Sequence, residues 1–344
     1  MMRRRKFMAA SVGLGTAALA SGWKIIDNHA LPGTVLRGRP GESGERLYRG
    51  FDLAFGTTIS VQLLHADERQ ANLAIEDAFA EAKKVDALMS IHRETSQVFA
   101  LNASGSLERP HPYLLTVLKT ARDLSMLTDG AFDVTVQPLW RTYEQAERAG
   151  GLPNDARIDH ARMLVGWQHL AFDGKRVQLL QPGMAITLNG IAQGFATDLA
   201  LARVRERGIR HALLDTGEYG AIGSRDQSRP WLLAVQDPRK REPMPEAFPM
   251  DGRCVATSGD YETHFSTDYA QHHIFDPHTG KSPPELASVT VLAPTGIVAD
   301  ALSTALMVMG KAKAKKLVAS LENVDALLID KAGARWQSAD FPSA

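Results

Sequence analysis

Two stretches in the first half of the chain carry hydrophobic residues at helical spacing. Over residues 67–89 the apolar positions lie three to four residues apart, on one face of a long amphipathic helix (Ile75, Phe79, Ala82, Val85 and Met89). The same spacing predicts a helix over residues 112–128, which Gly130 ends. Residues 57–64 combine β-branched side chains with partial alternation instead, which predicts a strand.

The second half alternates short apolar runs with glycines. Residues 184–188 predict a strand that passes through Gly190 into a helix ending near Gly208. Further strands are predicted over residues 212–215, 231–238, 287–293 and 325–330, the last of them being the final strand. Because several strands follow one another without a helix between them, the pattern predicts an α+β fold with mixed or antiparallel sheets.

The N-terminal residues differ from the rest of the chain. Arg3-Arg4-Arg5-Lys6 precedes a weakly apolar run over residues 9–20 that ends in small residues, which predicts a signal peptide over residues 1–20. The arginines resemble the twin-arginine type, so the predicted location is the periplasm, or the membrane surface if the signal is uncleaved. No cysteine follows the run to carry a lipid anchor. Residues 21–46 are rich in proline and glycine and predict a linker or arm before one domain over residues 47–340.

Composition narrows the function classes. The 344 residues include 39 Lys plus Arg and 39 Asp plus Glu, so no net charge favours nucleic acid as a partner. The only cysteine, Cys254, excludes an intrachain disulfide and a cysteine-based metal cluster. These values favour a globular protein with a small-molecule or protein partner.

Asp300, Ser303 and Thr304 have the spacing of one helix face. Their oxygens are suitable ligands for a hard cation such as Mg²⁺. The alternative is that Asp300 is an N-cap accepting hydrogen bonds from the amides of Ser303 or Thr304, and the spacing alone favours that cap.

Two glycine-containing turns are candidate ligand sites. Gly190 and Gly194 lie between a predicted strand and a helix N-terminus, where backbone amides can bind phosphate, although the glycines would equally allow close helix packing. Residues 130–138 predict a turn that presents Asp133 before a short strand stopped by Pro138, and a plain structural turn uses the same residues.

Three histidines lie close together in the sequence: His272, His273 and His278. No third ligand stands at zinc spacing beside the adjacent pair, which disfavours zinc. A histidine acting as general base is favoured, because its pKa suits proton transfer near neutral pH.

Taken in order, six segments resemble the ApbE family of FAD:protein FMN transferases: GAFDVTVQPLW, LNGIAQGFATD, LLDTGEYGAIG, VATSGDYE, HHIFDPHTGKSP and VADALSTALMVMG. The resemblance covers about residues 50–332. It implies a single catalytic domain that splits FAD with Mg²⁺, releases AMP and joins FMN to a threonine or serine hydroxyl of an acceptor flavoprotein. It also implies metal ligands at Asp300, Ser303, Thr304 and Gly190, and a catalytic pair of His273 as base with Asp300.

The resemblance further implies FAD contacts at Phe55, His92, Ala131, Phe132, Asp133, Thr187, Gln193 and Ile274. Some positions depart from the common family residues: Phe55 and His92 replace Met and Tyr, Thr187 replaces Asp, Gln193 replaces Lys or Glu, and Gly217-Glu218-Tyr219 replaces Gly-Gly-Asp. An FAD pyrophosphate hydrolase and a non-catalytic flavin-binding assembly factor therefore remain alternatives. The signal type resembles the NosX-like subgroup, which implies export by the Tat machinery and an acceptor such as the regulator of nitrous oxide reduction.

Overall fold

The computed structural model describes residues 32–40, 44–226, 229–239 and 246–342. Its main sheet has nine strands in the order β1-β2-β3-β7-β8-β11-β12-β13-β14, and every neighbouring pair is antiparallel. These strands are β1 (Thr34–Pro40), β2 (Arg46–Ala54), β3 (Thr57–His65), β7 (Ala212–Asp215), β8 (Tyr219–Ile222), β11 (Cys254–Gly259), β12 (Leu286–Ala293), β13 (Asp325–Asp330) and β14 (Arg335–Gln337). The predicted α+β class with antiparallel sheets is confirmed.

Two small sheets complete the strand content of the described residues. One has the order β4-β6-β5, and the other pairs β9 with β10. Their strands are β4 (Ser106–Glu108), β5 (Leu170–Phe172), β6 (Arg176–Leu179), β9 (Leu232–Val235) and β10 (Glu246–Pro249). Seven α-helices are described: α1 (Glu68–Met89), α2 (Gln97–Ser104), α3 (Pro112–Leu127), α4 (Gln137–Arg148), α5 (Asp155–Arg162), α6 (Ala192–Glu206) and α7 (Gly296–Val318).

The core lies on both faces of the main sheet. In β3 the alternate residues Ile59, Val61 and Leu63 are fully buried in the larger cluster, which also contains the apolar faces of α1, α3, α6 and α7. A smaller cluster that includes Trp231 and Phe248 covers the other face of the sheet. β12 is buried at every position, and six of its eight residues are apolar, the exceptions being Ser288 and Thr290.

The strongly periodic elements agree with the predictions. Helix α1 begins after the Asp67 N-cap, and α3 and β3 occupy their predicted places. Gly310 interrupts α7 with a left-handed backbone (φ 73°), although helical structure resumes after it. None of the helices in the described ranges is long and apolar enough to cross a membrane.

Three predictions about elements are wrong, and the segment predicted as a linker or arm contains a strand. This strand, β1, pairs with β2 at the edge of the main sheet. No strand forms before Pro138: residues 134–135 lie in a turn, and α4 begins at Gln137 because proline fits the first turn of a helix. Residues 184–188 form no strand, since the side chain of Asn102 bonds both the amide and the carbonyl of Ile186. β13 is followed by one more strand, β14. The predicted signal peptide lies outside the described residues.

Candidate active site

Helices α6 and α7 approach each other through two glycines. A Cβ atom on Gly194 would lie 2.1 Å from the carbonyl oxygen of Gly296, and one on Gly296 would lie 2.4 Å from the carbonyl oxygen of Gly194. Side chains are therefore excluded at both positions. The approach lets the amide of Gly194 donate a 2.9 Å hydrogen bond to Oδ2 of Asp300.

Asp300 is not an N-cap. Helix α7 begins at Gly296, and its first amides, those of Gly296 and Ile297, donate to the carboxylate of Asp198 at 2.6 and 3.0 Å. Asp300 lies one turn further into the helix and is only 3% exposed. The hypothesis that Asp300 is an N-cap, which the spacing favoured, is wrong, because Asp198 of α6 accepts the hydrogen bonds of the first α7 amides.

Burial gives the Asp300 carboxyl an unusual pKa. Desolvation raises it to about 7, the Gly194 hydrogen bond opposes the rise, and the negative charge of Asp198 adds to it. A carboxylate with this environment favours either a proton or a cation as its partner near neutral pH.

Three hydroxyl groups lie beside Asp300. The hydroxyl of Ser303 donates to the carbonyl oxygen of Asp300 at 2.8 Å. The Ser258 hydroxyl on β11 lies 2.7 Å from that of Ser303 and 3.1 Å from that of Thr304. Ser258 belongs to one of the six quoted segments, but sequence reasoning did not assign it to the site.

Gly190 and Phe132 join the same cluster. A Cβ atom on Gly190 would lie 3.0 Å from Oγ1 of Thr304 and 3.7 Å from the ring of Phe132. The structure thus brings together residues from the 130–140, 188–198 and 298–310 segments.

Glu218 is a second buried carboxyl group at the site. Its Oε2 accepts a 3.2 Å hydrogen bond from the amide of Thr257, the residue before Ser258. Desolvation, followed by the charge of Asp300, raises the pKa of Glu218 well above its ordinary value. Sequence reasoning noted Glu218 only as a departure from the family pattern. Its position in a turn rich in glycine was the available signal.

Gln193 reaches the same turn from α6. A Cβ atom on Gly217 would lie 1.7 Å from Nε2 of Gln193, and that nitrogen is 3.5 Å from the carbonyl oxygen of Thr216. Gly217 has φ 99°, a conformation that favours glycine. The predicted FAD contact at Gln193 therefore lies next to Glu218.

Within the described residues, His273 uses one of its two ring nitrogens in a hydrogen bond. Its Nδ1 lies 3.0 Å from the carbonyl oxygen of Thr263, so Nδ1 carries the proton and donates it to that carbonyl. Desolvation lowers the pKa of His273, while the Thr263 carbonyl and Asp260 oppose the change. The half-buried ring meets Trp140 edge to face, with 6.2 Å between ring centroids. Nε2 is thus available to accept a proton.

Both carboxylate oxygens of Asp133 accept hydrogen bonds from neighbouring parts of the protein. Oδ1 accepts from the amide and the hydroxyl of Thr135 at 2.8 and 2.6 Å, and Oδ2 accepts from the Trp167 amide at 2.9 Å. These bonds hold the turn that contains Ala131, which is also buried. Beside it lies a cavity of about 220 Å³ that is lined in part by Gly130, Trp167 and His278.

The other predicted FAD contacts lie in separate parts of the fold. Phe55 (φ 54°) forms the tight turn between β2 and β3 and packs against the main core. His92 is exposed in the loop after α1. Thr187, which directly precedes the segment over residues 188–198, donates its amide to the carbonyl of Val134. Ile274 is buried next to His273.

Paired histidines do not form a metal cluster. Within the ranges that the structure describes, no three His, Cys, Asp or Glu side chains converge as metal ligands. His272 is fully buried, and burial lowers its pKa to about 4. A cation site beside Asp300 would therefore use the carboxylates of Asp300 and Glu218 together with hydroxyl and carbonyl oxygens.

Comparison with known proteins agrees with this geometry. The ApbE family model matches residues 55–328. The FAD:protein FMN transferase of Salmonella typhimurium strain LT2 is 32% identical over 306 residues, covering 83% of this chain and 86% of that protein. The Escherichia coli K12 protein of the same name is 33% identical over 278 residues, with 75% and 78% covered.

Solved structures show the same fold. The ApbE protein of Thermotoga maritima superposes with a TM-score of 0.75 and 30% identity, covering 85% of this chain and 97% of that chain. The flavin transferase ApbE of Vibrio cholerae gives a TM-score of 0.73 and 26% identity, covering 87% and 98%.

Proposed function

Since this chain belongs to the ApbE family and is an FAD:protein FMN transferase, we propose that the transfer depends on Mg²⁺ bound beside Asp300, with His273 as base. The observation that carries the proposal is the convergence of Asp300, Ser303, Thr304 and Gly190 at one end of α7. The acceptor is a flavoprotein with a threonine or serine hydroxyl.

The donor set fits Mg²⁺. This ion prefers oxygen ligands and usually keeps water or phosphate oxygens in its coordination sphere. Asp300 offers a carboxylate, Ser303 and Thr304 offer hydroxyls, and Gly190 offers a backbone carbonyl. The charges acting most strongly on Asp300 and Glu218 are those of other carboxylates, so a bound cation would offset an otherwise unfavourable arrangement.

The reaction forms one P–O bond and breaks another. The acceptor hydroxyl attacks the phosphorus of the FMN half of FAD, the pyrophosphate bond breaks, and AMP leaves. Bound Mg²⁺ would stabilise the negative charge that develops on the phosphate oxygens. Nε2 of His273 takes the hydroxyl proton, and the Thr263 carbonyl holds the imidazole in the required tautomer.

A transfer assay tests this assignment. The protein is incubated with FAD, MgCl₂ and an acceptor domain, and the covalent FMN adduct and released AMP are measured by mass spectrometry. His273→Ala should lower transfer by about 100-fold or more, whereas His160→Ala, at an exposed histidine on α5, should retain it. Equal activity of the two variants would show that His273 is not the base. FMN and AMP formation without acceptor would indicate the hydrolase, and the absence of both reactions would indicate the assembly factor.

We also propose a route of export and a kind of acceptor, for which the N-terminal sequence is the support. The arginines at positions 3–5 and the apolar run after them support export by the Tat machinery to the periplasm, where the acceptor is a redox protein such as the regulator of nitrous oxide reduction. Fusion of residues 1–40 to a folded reporter tests this proposal. Replacing Arg4 and Arg5 by Lys should keep the reporter in the cytoplasm, and periplasmic reporter from that variant would contradict it.

A further inference from the structure

His273 belongs to a short hairpin-like loop that ends at residue 273. His264 and His272 form an antiparallel bridge, and the amide of Phe265 donates to the carbonyl oxygen of Gln271 at 2.7 Å. Thr263 lies opposite His273, and its carbonyl oxygen accepts from the His273 amide at 3.0 Å. The same carbonyl orients the His273 ring. The direction of Nε2 therefore depends on how the two arms of this loop lie against each other.

Asp260 anchors the beginning of the loop. It is fully buried, and each of its carboxylate oxygens accepts from a different guanidinium nitrogen of Arg239 at 2.7 Å. The Nζ of Lys331 lies 3.6 Å from Oδ2 of Asp260. A carboxylate without solvent requires such partners, because an unpaired charge at this depth is strongly unfavourable.

The same two cations also contact the tip of the loop. Lys331 donates to the carbonyl oxygen of Tyr269 at 2.7 Å, and the Arg239 guanidinium lies 4.3 Å from the centroid of the Tyr269 ring. Tyr269 has φ 61°, a conformation that is unfavourable for a side-chain-bearing residue and requires support from its surroundings. The Tyr269 ring lies 4.7 Å from the ring of His264 in the bridge.

We propose that Arg239 and Lys331 are positioning residues that clamp the two ends of this loop and thereby hold the Thr263 carbonyl against Nδ1 of His273. Both cations come from distant parts of the chain: Arg239 follows β9, and Lys331 follows β13. Each cation contacts both Asp260 at the base and Tyr269 at the tip, so loss of either one weakens the contacts at both ends. The inference rests on the proposed role of His273 as base.

The variants compare the two clamping cations with a control arginine. Arg239→Met and Lys331→Met each remove one cation and keep an apolar side chain of similar length. Arg239→Lys keeps the charge but cannot make the two parallel hydrogen bonds. Arg253→Met is the matched control, since Arg253 is 17% exposed against 14% for Arg239 and also pairs with a buried aspartate, Asp325.

Two readouts separate positioning from general stability. In the transfer assay, Arg239→Met and Lys331→Met should lower kcat by about 10- to 100-fold, because small misplacements of a reacting group have effects of this size. The KM for FAD should stay within about threefold of the wild type. Arg239→Lys should restore part of kcat, and Arg253→Met should leave it unchanged. In ¹H–¹⁵N spectra of histidine-labelled protein, the Nδ1–H tautomer signal of His273 should be lost or shifted in both clamp variants.

The outcomes distinguish this inference from the functional assignment. If His273→Ala abolishes transfer while Arg239→Met and Lys331→Met match Arg253→Met in kcat and in the imidazole signals, the clamp is wrong and the base assignment stands. If His273→Ala retains transfer but the clamp variants change the tautomer signal, the clamp is supported and the base assignment is wrong. If Arg239→Met does not fold, Lys331→Met tests the inference by the same two readouts, because Lys331 is the more exposed of the two cations.

Discussion

Asp300→Asn isolates the electrostatic cost of the buried carboxyl group. Asparagine has nearly the same shape, and its side-chain oxygen can still accept the hydrogen bond from Gly194. The variant replaces the titratable carboxyl group by an amide that stays uncharged at every pH. Its effect on the free energy of unfolding should therefore depend on pH, whereas the loss of a simple structural contact would not.

The magnitude follows from the raised pKa of Asp300. The difference between the ordinary value of 3.8 and the folded value of about 7 corresponds to about 4 kcal/mol. Because the folded state binds the proton more tightly than the unfolded state, the group contributes most stability below pH 3.8, and this contribution is lost as the pH rises to 7. An unpaired buried amide costs about 1–3 kcal/mol at every pH. The stability of the variant relative to the wild type should therefore rise by about 2–3 kcal/mol between pH 5 and pH 8.

Urea unfolding in a metal chelator at both pH values measures this difference. Asp155→Asn serves as the control, because the exposed Asp155 pairs with Lys281 and its pKa is lowered rather than raised. Adding MgCl₂ at about 100 times its Kd should stabilise the wild type by about 2.7 kcal/mol, and Asp300→Asn by much less. A pH-independent difference, or equal stabilisation of both proteins by Mg²⁺, would refute the reasoning.

Two further substitutions test the packing and the charge of the site. Gly194→Ala should lower the free energy of unfolding by about 3 kcal/mol or more in thermal or urea unfolding, because its Cβ would lie 2.1 Å from the Gly296 carbonyl oxygen; Gly151→Ala, at an open position, should change it by less than about 0.5 kcal/mol. Glu218→Gln keeps an acceptor for the Thr257 amide but removes a charge, so calorimetric titration of the FAD-free protein should show Mg²⁺ affinity reduced by about tenfold. An unchanged affinity would place Glu218 outside the cation site.

Elements with strong periodicity could be predicted from the sequence because their own residues specify both the element and its buried face. Helix α1 places Ile75, Phe79 and Val85 on one side and begins after a capping aspartate. Strand β3 alternates buried and half-buried positions, and its buried residues face the helices that cover this side of the sheet. These elements depend little on distant partners for their conformation.

Elements that depend on distant side chains could not be predicted. Residues 184–188 have the composition of a strand, but Asn102 occupies the amide and carbonyl of Ile186. β1 lacks a clear pattern, and it becomes a strand because β2 offers an unpaired edge. In both cases the hydrogen-bond partner lies outside the segment, far away in sequence for Ile186 and in the next strand for β1, so the periodicity of the segment itself does not reveal it.

In the candidate site, too, some relations between residues could be predicted from the sequence and others could not. The sequence by itself determined that Asp300, Ser303 and Thr304 share one helix face, because helical geometry alone fixes that relation. It could not decide between a cap and a buried ligand, since that choice depends on Asp198, which occupies the α7 amides from another helix. Only the tertiary structure placed Ser258 and Glu218 beside Asp300 and the Thr263 carbonyl beneath His273. The physical reason is that sheet pairing and the glycine contact between α6 and α7 join segments far apart in sequence.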